Sequence, residues 1–397
     1  DIAPTTLQLL GVDSGDGMTG AALRVASGRT DFDALRRLEI DGSVRSRFFL
    51  PAAVSYTVAA IVFYLALIAS VRRRVGSPWR NALRVGTCVA AAFPPAILVT
   101  GAMQHWLHAG GESPLLLVLL CGALGLAASG LRGLRPVFAL AGLSVALIAL
   151  DVAVTGPIHA ASILGYSLQT TGRFYGLPNA STSVFAASLF LLAAAAIGSN
   201  ATVVRRVAGV SVLVVGVLFV AAPWLGNDVG GTLSLVPVGA ATAWCFLGRR
   251  LTTRVAVVGA ALAAAAIGAY LAAGAAFGSG HLGRAVSEGA HDNSTITDTL
   301  AHRWDANIGL LVAQWWGFLC IALVLFGLER LARHRRYTEF LPIGSPVRVA
   351  AVAILVTSLL IFVVNDSGPV VMVLCLVVLA PALALVALDG PTPSAPA

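Results

Sequence analysis

Val71-Arg72-Arg73-Arg74-Val75-Gly76-Ser77-Pro78-Trp79-Arg80-Asn81-Ala82-Leu83-Arg84 separates two stretches, Pro51–Ser70 and Val85–Met103, that contain no charged residue. Each flanking stretch is long enough to cross a hydrocarbon core of ~30 Å as a helix. Five arginines packed between two such stretches read as a cytoplasmic connection by the positive-inside rule.

The pattern repeats along the chain. Further apolar stretches run over Leu115–Leu131, Val137–Val154, Thr182–Ile197, Ala208–Trp224, Thr232–Phe246, Ala256–Phe277, Ile308–Leu328, Ala350–Val364 and Val370–Leu388, about eleven in all. Arginines cluster in every second connection: Arg132 and Arg135; Arg205 and Arg206; Arg249, Arg250 and Arg254; then Arg330, Arg333, Arg335, Arg336 and Arg348. The alternate connections hold only Arg173, Arg284 and Arg303, together with most of the histidines. The sequence therefore predicts an all-α polytopic membrane protein with its amino terminus outside and its carboxyl terminus inside.

Composition agrees. Hydrophobic residues make up 58% of the 397 and charged residues 11%, against about 25% charged in a soluble domain. The net charge of +8 falls in short loops facing anionic headgroups, so it argues for membrane lipids as partners and not for nucleic acid. Every one of the 26 basic residues is arginine, which excludes Schiff-base and Walker-lysine chemistry in this chain. With abundant Ala, Gly and Val, the absence of lysine also fits a GC-rich bacterial genome and hence a bacterial inner (cytoplasmic) membrane. The five cysteines, Cys88, Cys121, Cys245, Cys320 and Cys375, lie within the apolar stretches and imply neither a disulfide nor a metal site.

The amino-terminal segment differs. Ile2-Ala3-Pro4-Thr5-Thr6-Leu7-Gln8-Leu9-Leu10 reads as a short helix with Pro4 in its first turn and Gly11 as its stop. The run Asp1-Ile2-Ala3-Pro4-Thr5, the following Leu9-Leu10-Gly11-Val12 and then Gly17-Met18-Thr19-Gly20-Ala21-Ala22-Leu23 resembles the closing edge of alkaline-phosphatase-superfamily domains, the sulfatase and type I phosphodiesterase group. The resemblance covers residues 1 to about 25. It implies a remnant of an α/β hydrolase-like, extracytoplasmic domain whose nucleophile and metal ligands precede Asp1, a partner domain in the longer protein. The implied organisation is 1–48 for this edge and a linker, 49–389 for the transmembrane helices and 390–397 for a disordered cytoplasmic tail.

Polar residues at the ends of membrane helices are costly unless they line protein or water, so they are the functional candidates. The outer connection after the fourth stretch carries Asp151, His159, Tyr166 and then Thr171-Gly172-Arg173-Phe174-Tyr175-Gly176-Leu177-Pro178-Asn179. An arginine between glycines beside aromatics suits a guanidinium fork on phosphate or carboxylate. The stretch also resembles the Arg-x-x-Gly-x-x-x-Asn run of O-antigen ligase and polymerase families, where such an arginine faces a lipid-linked glycan, with Asn179 one position nearer to Gly176 than in that run. An interfacial loop with a capped helix start explains the same residues.

Two further outer turns, Asn227-Asp228-Val229-Gly230-Gly231 and Asn365-Asp366-Ser367-Gly368-Pro369, offer carboxylate and amide oxygens for a cation or a substrate hydroxyl. They are equally the ordinary residues of tight turns and helix caps. His281, His291 and His302 lack metal-site spacing, and Gln104-His105-Trp106-Leu107-His108 reads as a surface anchor. The expected site therefore joins Asp228 and Asp366 as catalytic groups to Arg173, Tyr175, Asn179, Asn227, Asn365 and His159 as binding groups. No metal is assigned and the cofactor is left open. The expected function is binding of a lipid-linked phosphate or glycan for hydrolysis or transfer. The alternative is a non-catalytic transporter, anchor or scaffold for the phosphatase-like domain. Pro94 and Pro95 are expected to break the second stretch, and Gly259, Ala263 and Gly268 to pack closely in the eighth.

Overall fold

The computed structural model describes residues 2–12, 31–73, 76–107, 114–154, 156, 158–159, 162–165, 176–255, 257–259, 261, 264–265, 268, 301, 304–305, 307–313, 316–333, 341, 344–365 and 367–389. Arg173, Tyr175 and Asp366, the tail 390–397, residues 13–30 with the later part of the amino-terminal resemblance, and most of the stretches 256–277 and 278–307 lie outside them. The chain divides into two units, Asp1–Ile40 and Asp41–Ala397.

In the first unit, α1 (Ile2–Leu9) ends as its sequence predicts. Gly11 has φ +70°, its N–H donates to Gln8 O (3.1 Å) and the Val12 N–H donates to Leu7 O (2.9 Å). This pair of bonds is the Schellman closure, which requires a left-handed residue after the helix.

The second unit is helical throughout most of its described residues. After α2 (Phe32–Arg73), whose first residues to Ile40 belong to the first unit, come α3 (Ser77–Ala91), α4 (Phe93–Leu107), α5 (Pro114–Ser129), α6 (Arg135–Ala153), α7 (Asn179–Ile197), α8 (Val203–Ala221), α9 (Val229–Phe246), α10 (Trp316–Arg333), α11 (Pro346–Val364) and α12 (Val370–Asp389). Six of these are long and apolar enough to cross a membrane by themselves, and up to eight spans result if each bent helix pair is one span. The α3–α4 pair bends by 47° at Ala92, immediately before Pro94 and Pro95. A proline lacks the N–H that would continue the ladder, which accounts for the break where the sequence expects one. Shorter apolar helices at Val58–Ser70 and Pro114–Ser129 fall on two more of the expected stretches.

The centre of the bundle is α7, which packs against α6, α8, α9, α11 and α12. Of its apolar window 78% is buried, against 22% for α8. The sequence explains the contrast. Helix α7 is apolar all round and rich in Ala and Ser, so neighbours can approach on every side. Helix α8 presents Val203, Val204, Val207, Val214, Val215 and Leu218 outward, an apolar face suited to lipid tails. Its opposite face carries Gly209 and Gly216, where a Cβ would collide with the Ala193 carbonyl and the Leu189 side chain of α7. Phe185 and Phe219 stack across the same contact, centroids 5.2 Å apart. At Gly259 and Gly268, two of the three expected close-packing residues, a Cβ would meet nothing within 4 Å among the described residues, and Ala263 lies outside them. Accordingly Gly209→Ala should lower thermal stability in detergent by about 1–3 kcal/mol, because a backbone carbonyl cannot rotate away, whereas Gly122→Ala in α5, where a Cβ would meet nothing within 4 Å among the described residues, should not lower it. Equal melting behaviour of the two variants would contradict this packing.

Arg80, Arg84, Arg206 and Arg348 stand at one end of the bundle, where they close the carboxyl ends of neighbouring helices. Arg206 donates to Phe246 O of α9 (2.8 Å), Arg80 to Leu388 O of α12 (2.5 Å) and Arg84 to Leu131 O (2.8 Å), while Arg84 also pairs with Asp389. Arg348, largely buried, donates to Leu341 O (3.1 Å) and to Leu331 O of α10. The final carbonyls of a helix have no partner within it, and a guanidinium supplies both hydrogen bonds and the charge its dipole favours.

Candidate functional site

The first turn of the central helix α7 lies at the end opposite those arginines and ties three turns together. Asn179 Nδ2 donates to Ser367 Oγ (2.6 Å) before α12. Ser181 Oγ donates to Leu164 O (3.0 Å) in the connection after α6. Thr182 Oγ1 donates to Asp228 Oδ2 (2.6 Å) at the start of α9. Just before this turn, the Leu177 N–H donates to Gly226 O (2.6 Å).

Asp228 is buried and acts as the N-cap of α9, its Oδ1 accepting from the Gly231 N–H at 3.0 Å. Both carboxylate oxygens are thus engaged, one with a backbone donor and one with Thr182. Asn227 beside it holds φ +43°, a left-handed conformation that asparagine tolerates better than most residues. The second Asn-Asp turn meets the first. The Asn365 side chain lies hard against Gly230, where no Cβ would fit, so the glycine there is a requirement of packing. The Asn365 carbonyl accepts from Asn307 Nδ2 (2.7 Å), which begins the short helix Asn307–Ala313. Asn307 Oδ1 and Asn365 Nδ2 are buried and carry no partner among the described residues.

The loop after α6 is built around Asp151, which has no exposed surface. Its Oδ1 accepts from the Ile158 N–H (2.7 Å) and its Oδ2 from the His159 N–H (2.9 Å), and the same Oδ2 pairs with His159 Nδ1. His159 is 1% exposed, and its Nε2 has no partner among the described residues. The loop is fixed from two more sides: Ser162 packs on Gly101 of α4, and Leu164 is held by Ser181. At Gly165 the His159 carbonyl fills the space a Cβ would need. An unmatched nitrogen in so dry a place costs about 1–3 kcal/mol, a cost that a ligand group would remove.

Of the expected site residues, Asn179, Asn227, Asp228 and Asn365 stand at one end of the bundle, as does His159 through the Leu164–Ser181 bond. Arg173, Tyr175 and Asp366 are outside the described residues. The pairing of Asp151 with His159 and the linking roles of Ser181, Thr182, Asn307 and Ser367 go beyond the sequence reading. The signal available for the linking residues is the polar run Ser181-Thr182-Ser183 behind Asn179, at the head of an otherwise apolar helix. Among the described residues no three His, Cys, Asp or Glu side chains are placed to hold a metal ion.

No protein-family model, curated protein or solved structure matches the chain. The fold by itself defines the class, an integral membrane protein of several apolar helices.

Proposed function

We propose that this is a bacterial envelope protein that binds a lipid-linked phosphate or glycan at the end opposite Arg80, Arg84, Arg206 and Arg348, for hydrolysis or transfer. The observation that carries the reading is the convergence of both Asn-Asp turns and the His159 loop on the first turn of α7, directly after the stretch bearing Arg173. A membrane protein that gathers buried amides, carboxylates and an imidazole at one end, with only hydroxyls such as Ser144 and Ser188 buried deeper along its helices, is organised to meet a polar group held at the bilayer surface. Arg173 would clamp the anion, with Tyr175 beside it. In this orientation the arginine end is cytoplasmic and the site faces outward.

Two measurements test this. With the five native cysteines replaced, an impermeant thiol reagent on intact cells should modify Asp292→Cys and spare Arg250→Cys; the reverse pattern overturns the orientation. In detergent, Arg173→Ala should weaken binding of a polyprenyl phosphate roughly ten- to a hundredfold, the loss of one charge-assisted contact. Arg173→Lys should weaken it nearly as much, because an ammonium cannot reproduce the paired hydrogen bonds of a guanidinium. Unchanged affinity in both variants removes Arg173 from the site.

A further inference from the structure

We propose that Asp151 and His159 form an acid–base pair at this site, with His159 Nε2 taking the proton of an attacking hydroxyl and Asp151 acting as the positioning residue; the substrate rests on the reading above.

Four features of the geometry support this. A buried carboxylate and imidazole at the end of an apolar helix are costly in a membrane protein, and such groups mark functional positions. Closing the loop does not need them both: the carboxylate already accepts the Ile158 and His159 N–H groups, so a small side chain at 159 would leave the turn intact. The carboxylate on Nδ1 holds the ring proton there, which leaves the lone pair of Nε2 available as an acceptor. Contacts from α4 and α7 fix the loop that carries the ring, and Asp151 of α6 fixes Nδ1, which together give the preorganisation that proton transfer needs. By contrast both carboxylate oxygens of Asp228 are already engaged, one by the Gly231 N–H and one by the Thr182 hydroxyl.

In the step itself the hydroxyl of water or of an acceptor alcohol passes its proton to Nε2. Its oxygen forms the new bond to the group carried on the lipid phosphate, the bond from that group to the phosphate breaks, and the electron pair leaves with the phosphate. The leaving phosphate then recovers the proton from Nε2. Asp151 keeps the ring aligned and faces the positive charge that appears on it.

The test uses the full chain in detergent with a polyprenyl-diphosphate-linked disaccharide as probe, measuring binding and release of polyprenyl diphosphate separately. His159→Asn is the informative variant, since its amide can donate to Asp151 much as Nδ1 does while Nε2 is lost. It should bind the probe like the wild type and release product at least about 100-fold more slowly. Near-wild-type release by His159→Asn, or a wild type that binds and releases nothing, overturns the acid–base pair and leaves the binding site standing. A wild type that does not bind the probe overturns the substrate reading. The pair is still tested in that case by ¹⁵N spectra of histidine-labelled protein, with His159 assigned from the missing signal in His159→Asn. The proton should sit on Nδ1 with Nε2 bare, and Asp151→Asn should shift it toward Nε2. A wild-type Nε2 that carries the proton excludes a base at this position.

Discussion

Asp151→Ala is expected to be among the most destabilising single substitutions in the bundle, lowering stability in detergent by about 3–5 kcal/mol. The carboxylate is wholly buried and serves three donors, the Ile158 and His159 N–H groups and the imidazole. Its removal strands all three where water cannot replace it. Asp389→Ala is the control. That carboxylate pairs with Arg84 but is 39% exposed, and exposed pairs contribute only about 0–1 kcal/mol. Heating followed by size-exclusion chromatography should therefore show a large fall in midpoint for Asp151→Ala and little change for Asp389→Ala. Similar midpoints for the two variants would show that the loop is not held by this carboxylate.

The second large effect concerns Asp228, for which capping and catalysis predict opposite patterns. As the N-cap of α9 and the acceptor for Thr182, it should lose about 2–4 kcal/mol on replacement by alanine, combining a lost cap with an unmatched buried hydroxyl. Asp228→Asn should be far milder. Its carbonyl can still accept from Gly231, and its amide can donate to the Thr182 oxygen, which accepts as readily as it donates. If Asp228 were the base, asparagine would abolish turnover as fully as alanine while both variants kept their melting temperatures. Thermal midpoints and product release, measured on the same preparations, separate the two cases.

The geometry at Asp228 also shows why a site is harder to read than a fold. Asn227-Asp228-Val229-Gly230-Gly231 has the composition of a cap and of a ligand shell alike, because both tasks use short side chains with oxygen atoms. Only the Gly231 N–H and the Thr182 hydroxyl, each on its own oxygen of Asp228, distinguish them. Similarly, Asp151 and His159 stand in one connection in the sequence, but their separation carries no recognised spacing. What joins them is a turn through Gly156, at φ +78°, that brings the chain back onto the end of its own helix.

The membrane character, the helical class, the helix stop at Gly11 and the break before Pro94 and Pro95 were all legible in the order of residues. These depend on apolar length and on local backbone chemistry, which are properties of neighbouring residues. Only the packed bundle shows that α7 is the central helix, that Gly209 and Gly216 make close approaches to it, and that Asn365 rests on Gly230. Each of these is a contact between residues far apart in the chain, set by which helices become neighbours in the bundle, and apolar periodicity does not encode that choice when nearly every face is apolar.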